Sequence, residues 1–384
     1  MNKKSVWESV KEEIRNLMPC VHGGDVWKAA EKCHIKAMEI LDFSANVNPL
    51  GPSKRVIEAI CESVWKIPYY PDPDYTELRE AISRYLGEVG VDNVIVGNGS
   101  TELIYLFCEV FMERGDLALI PEPTFGEYER AVKKVGGKPV CVSLGSDFRV
   151  DAKRLLKKIT PPIKAVFLCN PNNPTGVLAP REDIMEIIET AARENLPVLI
   201  DEAFIEFVRE EKRYSLTAEV KKYQNLFVLR SLTKAFGLTG LRVGYGIACE
   251  NLIDVLSKVK MPWSVNCLAQ SAAISALEDQ EHLRRTQRLI SEERKFLLGE
   301  LEKIKGLKVF PTDANFILMN IRQFGLTAAQ LKERMLSHGI LLRDCSSFRG
   351  LDEYYFRVSV RTREENEKLL ASLREVLGAQ RSEC

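Results

Sequence analysis

The chain has 384 residues, 45% of them hydrophobic and 28% charged, with Lys plus Arg and Asp plus Glu equal at 54 each. That length favours two or three folding units over a single small core. The balanced charge offers no global basic field to nucleic acid or to an anionic membrane, so any anion the protein binds must be gripped locally.

The opening stretch, "MNKKSVWESVKEEIRNLM", is charged throughout; it predicts an amphipathic helix and lacks the apolar core of a signal peptide. After it comes the turn-rich "FSANVNPLGP". From about 93 to 250 short apolar runs alternate with helical patterns: "NVIVGNG" gives way to "STELIYLFCEVFME", "LALIPEP" to "TFGEYERAVKKV" and "IKAVFLCN" to "REDIMEIIETAAREN". The runs "PVLIDEAF", "NLFVLRS" and "RVGYGIA" follow. This alternation predicts an α/β fold with a mostly parallel sheet covered by helices on both faces, and ligands of such sheets sit at the carboxyl ends of strands. Beyond about 266 a long helical region precedes the strand-like runs "LKVFP", "NFILMNI", "GILLRD" and "YYFRVSV" and a last helix, the pattern of a smaller α+β domain. The expected division is a large domain over 51–265 and a small discontinuous domain made of 1–50 and 266–384. No window reaches the apolar length of a membrane span. Ten scattered cysteines without a Cys-x-x-Cys pair read as the reduced thiols of a cytoplasmic protein, and four dispersed histidines give no expectation of a metal site.

Chemistry-bearing residues fall at the predicted strand ends. "GNGSTE" places Gly97, Gly99 and Ser100 before a helix, either as a phosphate cradle or as an N-cap with glycines in its turn. "NPNNPTG" is a tight turn carrying side-chain amides, and Asp201 closes the apolar run "PVLID". Ser231 and Lys234 in "SLTKAFGLTG" follow one strand, and Arg242 precedes the next. Together, a phosphate cradle, a strand-end carboxylate, an asparagine turn and a lysine that can lose its proton meet the needs of pyridoxal 5'-phosphate. The lysine must be neutral to attack the aldehyde, and the carboxylate keeps the pyridine nitrogen protonated so that the ring accepts electrons.

Through nearly its whole length the sequence resembles the fold-type I pyridoxal-phosphate enzymes of the aspartate aminotransferase superfamily. The resemblance implies that Lys234 is the Schiff-base lysine, Asp201 the partner of the ring nitrogen and Asn173 a donor to the ring oxygen. It also implies that Ser100, Thr101, Ser231 and Arg242 hold the cofactor phosphate and that Phe125 stacks on the ring. Tyr70 of "YYPDPDY" resembles the tyrosine that reaches the neighbouring subunit's cofactor phosphate, which implies a homodimer with shared sites. Arg357 of "FRVSVRT" resembles the clamp on the substrate carboxylate.

Two branches of the superfamily compete. The histidinol-phosphate aminotransferases share "NPNNPTG" and the Tyr-Pro-Asp-Pro element. The L-threonine-O-3-phosphate decarboxylases of cobalamin biosynthesis share these too, and also resemble "HGGD" (22–25), the 43–51 turn, "DEAFIEF", "RDCSSFRGL" and "RVSVRT". By that resemblance His22 and Asn46 line the substrate pocket, and Arg343, Arg357 and Arg361 lie near the two anions of a small phosphorylated amino acid. Phe204 stands where the aminotransferases usually carry a tyrosine that donates to the cofactor's ring oxygen.

Overall fold

The computed structural model describes residues 5–382. Its centre is a seven-stranded sheet of β2 (Val94–Gly97), β3 (Leu117–Glu122), β4 (Lys138–Ser143), β5 (Ile163–Cys169), β6 (Val198–Asp201), β7 (Leu226–Ser231) and β8 (Gly244–Ile247), in the spatial order β2-β8-β7-β6-β5-β3-β4. All neighbours are parallel except those of β8, which runs antiparallel to both β2 and β7. The reason is local: the Leu232–Val243 connection stays at the end of β7 as the loop bearing Lys234, with no crossover helix to return the chain to the far edge.

β6 and β7 are buried along their whole lengths, and β5 everywhere but Lys164, as continuous apolar runs require when both faces are covered. On one face Phe107 of the helix Gly99–Phe111 packs between Phe167 and Phe227, at ring distances of 5.4 and 5.9 Å. The other face carries Val166, Ile200 and Val228 against Ile184, Ile187 and Ala272 of further helices. β4, Lys138–Ser143, was not among the predicted apolar runs. It is a half-exposed edge strand, and its Pro139 is tolerated because an edge strand has no second partner to supply.

A second, antiparallel sheet has the order β12 (Arg343–Asp344), β13 (Tyr355–Ser359), β10 (Phe316–Asn320) and β9 (Lys308–Val309). The N-terminal part of the chain joins this region through β1 (Leu41–Asp42), which pairs in parallel with β11 (Ile340–Leu341). The predicted N-terminal helix does not form as one element. Val6–Ser9 is a 3-10 turn and Glu12–Arg15 a single helical turn, separated by extended backbone at Val10 and Lys11 with ψ of 132° and 137°. Val6 and Trp7 are 80% and 78% exposed, and a short helix without a packed apolar face is marginal. Residues 1–4 of that stretch lie outside the described residues. Among the described residues no helix is long and apolar enough to cross a membrane.

Behind the ends of β6 and β7 lies a buried ionic cluster. Arg230 donates from Nε to Glu202 at 2.9 Å, from Nη1 to Glu206 at 2.7 Å and from Nη2 to the Ser215 hydroxyl at 2.8 Å. Glu202 also accepts from the Leu216 backbone N–H at 2.7 Å. The three charged side chains are at most 3% exposed, so removing one partner leaves an uncompensated buried charge. Arg230→Met is expected to cost about 3–5 kcal/mol of unfolding free energy, read from the denaturant midpoint at constant m. Burial, against the pull of Arg230, pushes the Glu206 carboxyl from its ordinary 4.5 up to about 7. A folded-state value raised in this way contributes stability that is complete below 4.5 and lost as pH rises through about 7. Glu206→Gln should remove that part of the pH slope, checked by unfolding the two proteins side by side across the window.

Candidate active site

A cleft of about 1460 Å³ opens over the carboxyl ends of β5, β6 and β7, with the second sheet on one side and the segment Asn16–Gly24 along its wall. Into it the fold brings Ser100, Thr101, Phe125, Asn173, Asp201, Ser231, Lys234, Arg242, Arg343 and Arg357 together with His22 and Asn46.

One end of the cleft gathers donors of the kind that a phosphate requires. The helix Gly99–Phe111 starts here with its free N–H groups and positive dipole end, and Ser100 and Thr101 stand in its first turn. A Cβ on Gly99, whose φ is +71°, would lie 2.6 Å from Nη2 of Arg242, so only glycine lets the guanidinium close over the helix end. A Cβ on Gly244 would come within 2.5 Å of the Ser100 backbone nitrogen, which ties β8 tightly to the same turn. Arg242 is itself left-handed at φ +59° and donates from Nη1 to the Thr239 carbonyl at 3.2 Å; burial lowers its pKa. The Ser231 and Thr233 hydroxyls share a hydrogen bond of 2.7 Å beside it.

The floor holds the acid and the base. Asp201 is 4% exposed; its Oδ2 accepts from the Tyr128 hydroxyl at 2.8 Å and its Oδ1 from the Ala203 N–H at 2.9 Å. Burial nonetheless raises its pKa, so a charge there is costly without a cationic partner. Lys234 is shifted the other way: burial first, then the positive charges of Arg357 and Arg242, lower its pKa from 10.5 to about 8. Its Nζ stands 5.7 Å from the centre of the Phe204 ring. Phe125 meets Tyr128 edge-on at 5.6 Å.

Within "NPNNPTG" the asparagines divide the work. Asn170 accepts from the Ala179 N–H at 2.8 Å and Asn172 donates to the Pro123 carbonyl at 2.9 Å, so both hold the turn. Asn173 lines the cleft, and its Oδ1 accepts from Nη1 of Arg357, which leaves its amide N–H groups as the donors it can offer.

The far end is positive. Arg357 is 5% exposed and lies over the Phe316 ring at 4.8 Å; burial lowers its pKa to about 10. Asn46, with its carbonyl oxygen turned to the guanidinium, accepts from it at 3.2 and 3.3 Å. The Arg357 Nε has no partner among the described residues. Arg343, directly opposite it in the β12 to β13 register, is equally buried and donates to the Val21 carbonyl at 2.7 Å and the Ser347 hydroxyl at 3.0 Å. Two like charges facing each other across a strand pair repel. Neither has a carboxylate hydrogen-bond partner among the described residues.

Two residues fall elsewhere. Arg361 does not line the cleft: it donates to the Asp42 carbonyl at 3.1 Å and pairs with Glu365 at 2.7 Å. Tyr70 is 81% exposed and rests on Trp263 at 4.7 Å, outside the cleft of its own chain. Tyr128 and Thr233 belong to the site although the sequence reading did not single them out.

This donor set fits pyridoxal 5'-phosphate: a helix end under an arginine for the phosphate, a buried carboxylate lacking a cation, and a lysine close to neutrality. The sequence matches the family described as aminotransferase class I and II over residues 38–373. It is 42% identical over 365 residues, 94% of this chain and 95% of the relative, to a protein of Caldanaerobacter subterraneus subsp. tengcongensis provisionally named threonine-phosphate decarboxylase. The solved histidinol-phosphate aminotransferase of Clostridium acetobutylicum is 33% identical with a TM-score of 0.82, covering 88% of this chain and 100% of that one. That of Sinorhizobium meliloti, in complex with pyridoxal 5'-phosphate, is 25% identical with a TM-score of 0.86, covering 98% and 99%. The chain therefore belongs to the class I and II aminotransferase family, and its cofactor is pyridoxal 5'-phosphate.

Proposed function

We propose that this protein decarboxylates L-threonine O-3-phosphate to CO2 and (R)-1-amino-2-propanol O-2-phosphate, the step that the resembling enzymes perform in cobalamin biosynthesis. The observation that carries the reading is the opposed pair Arg343 and Arg357, both buried, both in the cleft and neither with a carboxylate hydrogen-bond partner among the described residues. Holding two such charges together is unfavourable until anions arrive. A small substrate with a carboxylate and a phosphoryl group supplies two. The 42% identity to a provisionally named threonine-phosphate decarboxylase supports the same choice.

Bound pyridoxal 5'-phosphate supplies an electron sink for the bond broken at the substrate's α-carbon. Arg242, Ser100, Thr101 and Ser231 would hold its phosphate, Phe125 would pack against its ring, and Asp201 would pair with the ring nitrogen, a cationic partner that would offset the cost of the buried carboxylate. Lys234, near neutrality, would be the amine that holds the cofactor, and its Nζ would carry the proton that the α-carbon takes up once CO2 has left. Arg357 and Asn46 orient the carboxylate, and Arg343 with His22 borders the place for the phosphoryl group. Phe204 offers no hydroxyl to the ring oxygen, so Asn173 is its neutral donor.

The protein acts as a cytoplasmic homodimer in this reading. Trp65, Tyr69, Tyr70, Met261 and Trp263 are exposed apolar side chains suited to a second copy, whose cofactor phosphate Tyr70 would reach.

Histidinol-phosphate transamination is the second reading. Its amino acceptor, 2-oxoglutarate, also carries two carboxylates for the two arginines, and both solved relatives above bear that name.

Product analysis separates the two. Purified protein with pyridoxal phosphate and L-threonine O-3-phosphate is expected to release CO2 and aminopropanol phosphate in equal amounts over many turnovers. Transfer of an amino group from histidinol phosphate to 2-oxoglutarate, with no CO2 released, would sink the first reading. Lys234→Ala should abolish turnover while the protein stays folded; persistent activity would refute its assigned role. Arg357→Lys keeps the charge but loses the planar fork, and KM for threonine phosphate should rise about ten- to a hundredfold in steady-state kinetics.

A further inference from the structure

Glu127 opens the helix Glu127–Lys134, immediately after the turn that carries Phe125, and is 3% exposed. Its Oε1 accepts from Nε2 of His22 at 2.8 Å, and its Oε2 accepts from the Tyr105 hydroxyl with Nη1 of Arg130 3.6 Å away. Burial works against the charge, but hydrogen bonds from His22, Tyr105 and Cys20 outweigh it and hold the carboxyl down at about 2. Such a carboxylate is a strong fixed acceptor.

What it holds is the N-terminal segment, which has no regular structure between Asn16 and Gly24. Three further contacts continue from His22 along that segment. The neighbouring Val21 carbonyl accepts from Nη2 of Arg343 at 2.7 Å. The Gly24 N–H donates to the Ser44 hydroxyl at 2.7 Å, and a Cβ on Gly23 would lie 2.3 Å from the Ser44 carbonyl oxygen. The His22 ring also lies 6.0 Å from that of Phe125. One buried carboxylate on the large sheet's helix is thus linked, through His22 and the next peptide, to the aim of an arginine on the second sheet.

We propose that Glu127 is a positioning residue: it fastens His22, and with it the segment Cys20–Gly24, so that the Val21 carbonyl keeps the Arg343 guanidinium aimed at the substrate's second anion. This rests on the reading of Arg343 given above. Glu127 touches neither cofactor nor reacting atoms, so its effect falls on substrate affinity rather than on bond breaking.

The test compares holoenzymes of the parent, Glu127→Gln, His22→Asn and the double variant. For Glu127→Gln with L-threonine O-3-phosphate, KM should rise about tenfold, the loss of one hydrogen bond to a charged group, with kcat changed less than about twofold. Cofactor absorbance should not move. The double variant should be no worse than the poorer single one, because both break the same link. An unchanged KM, a loss confined to kcat, or additive losses would overturn the proposal. If Glu127→Gln fails to fold, Glu127→Asp, which keeps the charge but shortens the side chain away from His22, carries the comparison of KM with kcat. Trypsin cleavage at Lys11 and Arg15 of the holoenzyme gives a readout independent of the reaction. Faster cleavage in Glu127→Gln is expected, and parental rates overturn the fastening. Should the parent itself not turn over threonine phosphate, the proposed function fails, while the cleavage rates still decide whether Glu127 holds the segment.

Discussion

The cleft hangs on the alternation of side chains at the ends of β6 and β7. Successive residues of a strand point to opposite faces, so Asp201 and Ser231 face the cleft while Glu202 and Arg230 face away from it. On the hidden side Arg230 binds Glu202 and joins the two strand ends to one another. A shift of either strand by one residue would exchange the sets, burying Asp201 among carboxylates and bringing Arg230 into the cleft. The ionic cluster adds little stability relative to a well-packed apolar alternative, but it penalises that misregister heavily.

The cleft's own electrostatics follow from an excess of cations. Lys234, Arg242, Arg343 and Arg357 line it, and among the acids Asp201 is already engaged by Tyr128 and the Ala203 N–H. Arg357 and Arg242 help to depress Lys234, so the two guanidinium groups that await anions also prepare the amine. The link runs in both directions: an anion that neutralises either arginine removes part of that depression and draws Lys234 back toward its protonated form. In the proposed reaction, substrate binding would thereby favour the state in which Lys234 delivers a proton. The apolar neighbours matter more than either arginine, since burial, beside Phe204, is the largest single cause of the Lys234 shift.

The strand-end residues were legible in the sequence because a parallel sheet exposes one predictable place, the carboxyl end of each apolar run. Asp201, Ser231 and Lys234 could be read from the run that precedes each of them. Arg361 could not: it shares a parity with Arg357, but β13 ends at Ser359, and past that point the chain turns so that Glu365 takes its guanidinium. Edge strand β4 escaped because a half-exposed strand needs no continuous apolar run. Glu127 and Tyr128 were hidden for another reason. Their partners lie 105 and 73 residues away, and helical periodicity reports which face is buried without saying what that face meets.

Phe204 shows how far a single apolar ring shapes the site. It meets Phe316 edge-on at 5.0 Å, and Phe316 in turn carries the Arg357 guanidinium on its face at 4.8 Å. The two rings therefore stand between the lysine and the arginine, each offering a negative π face to one cation. A hydroxyl on the first ring would add a polar group at a position only 4% exposed, and that group would need a partner. Without it, the site has hydrocarbon where Lys234 and Arg357 approach one another. Repulsion between the two is then little screened, which helps to keep Lys234 close to neutrality.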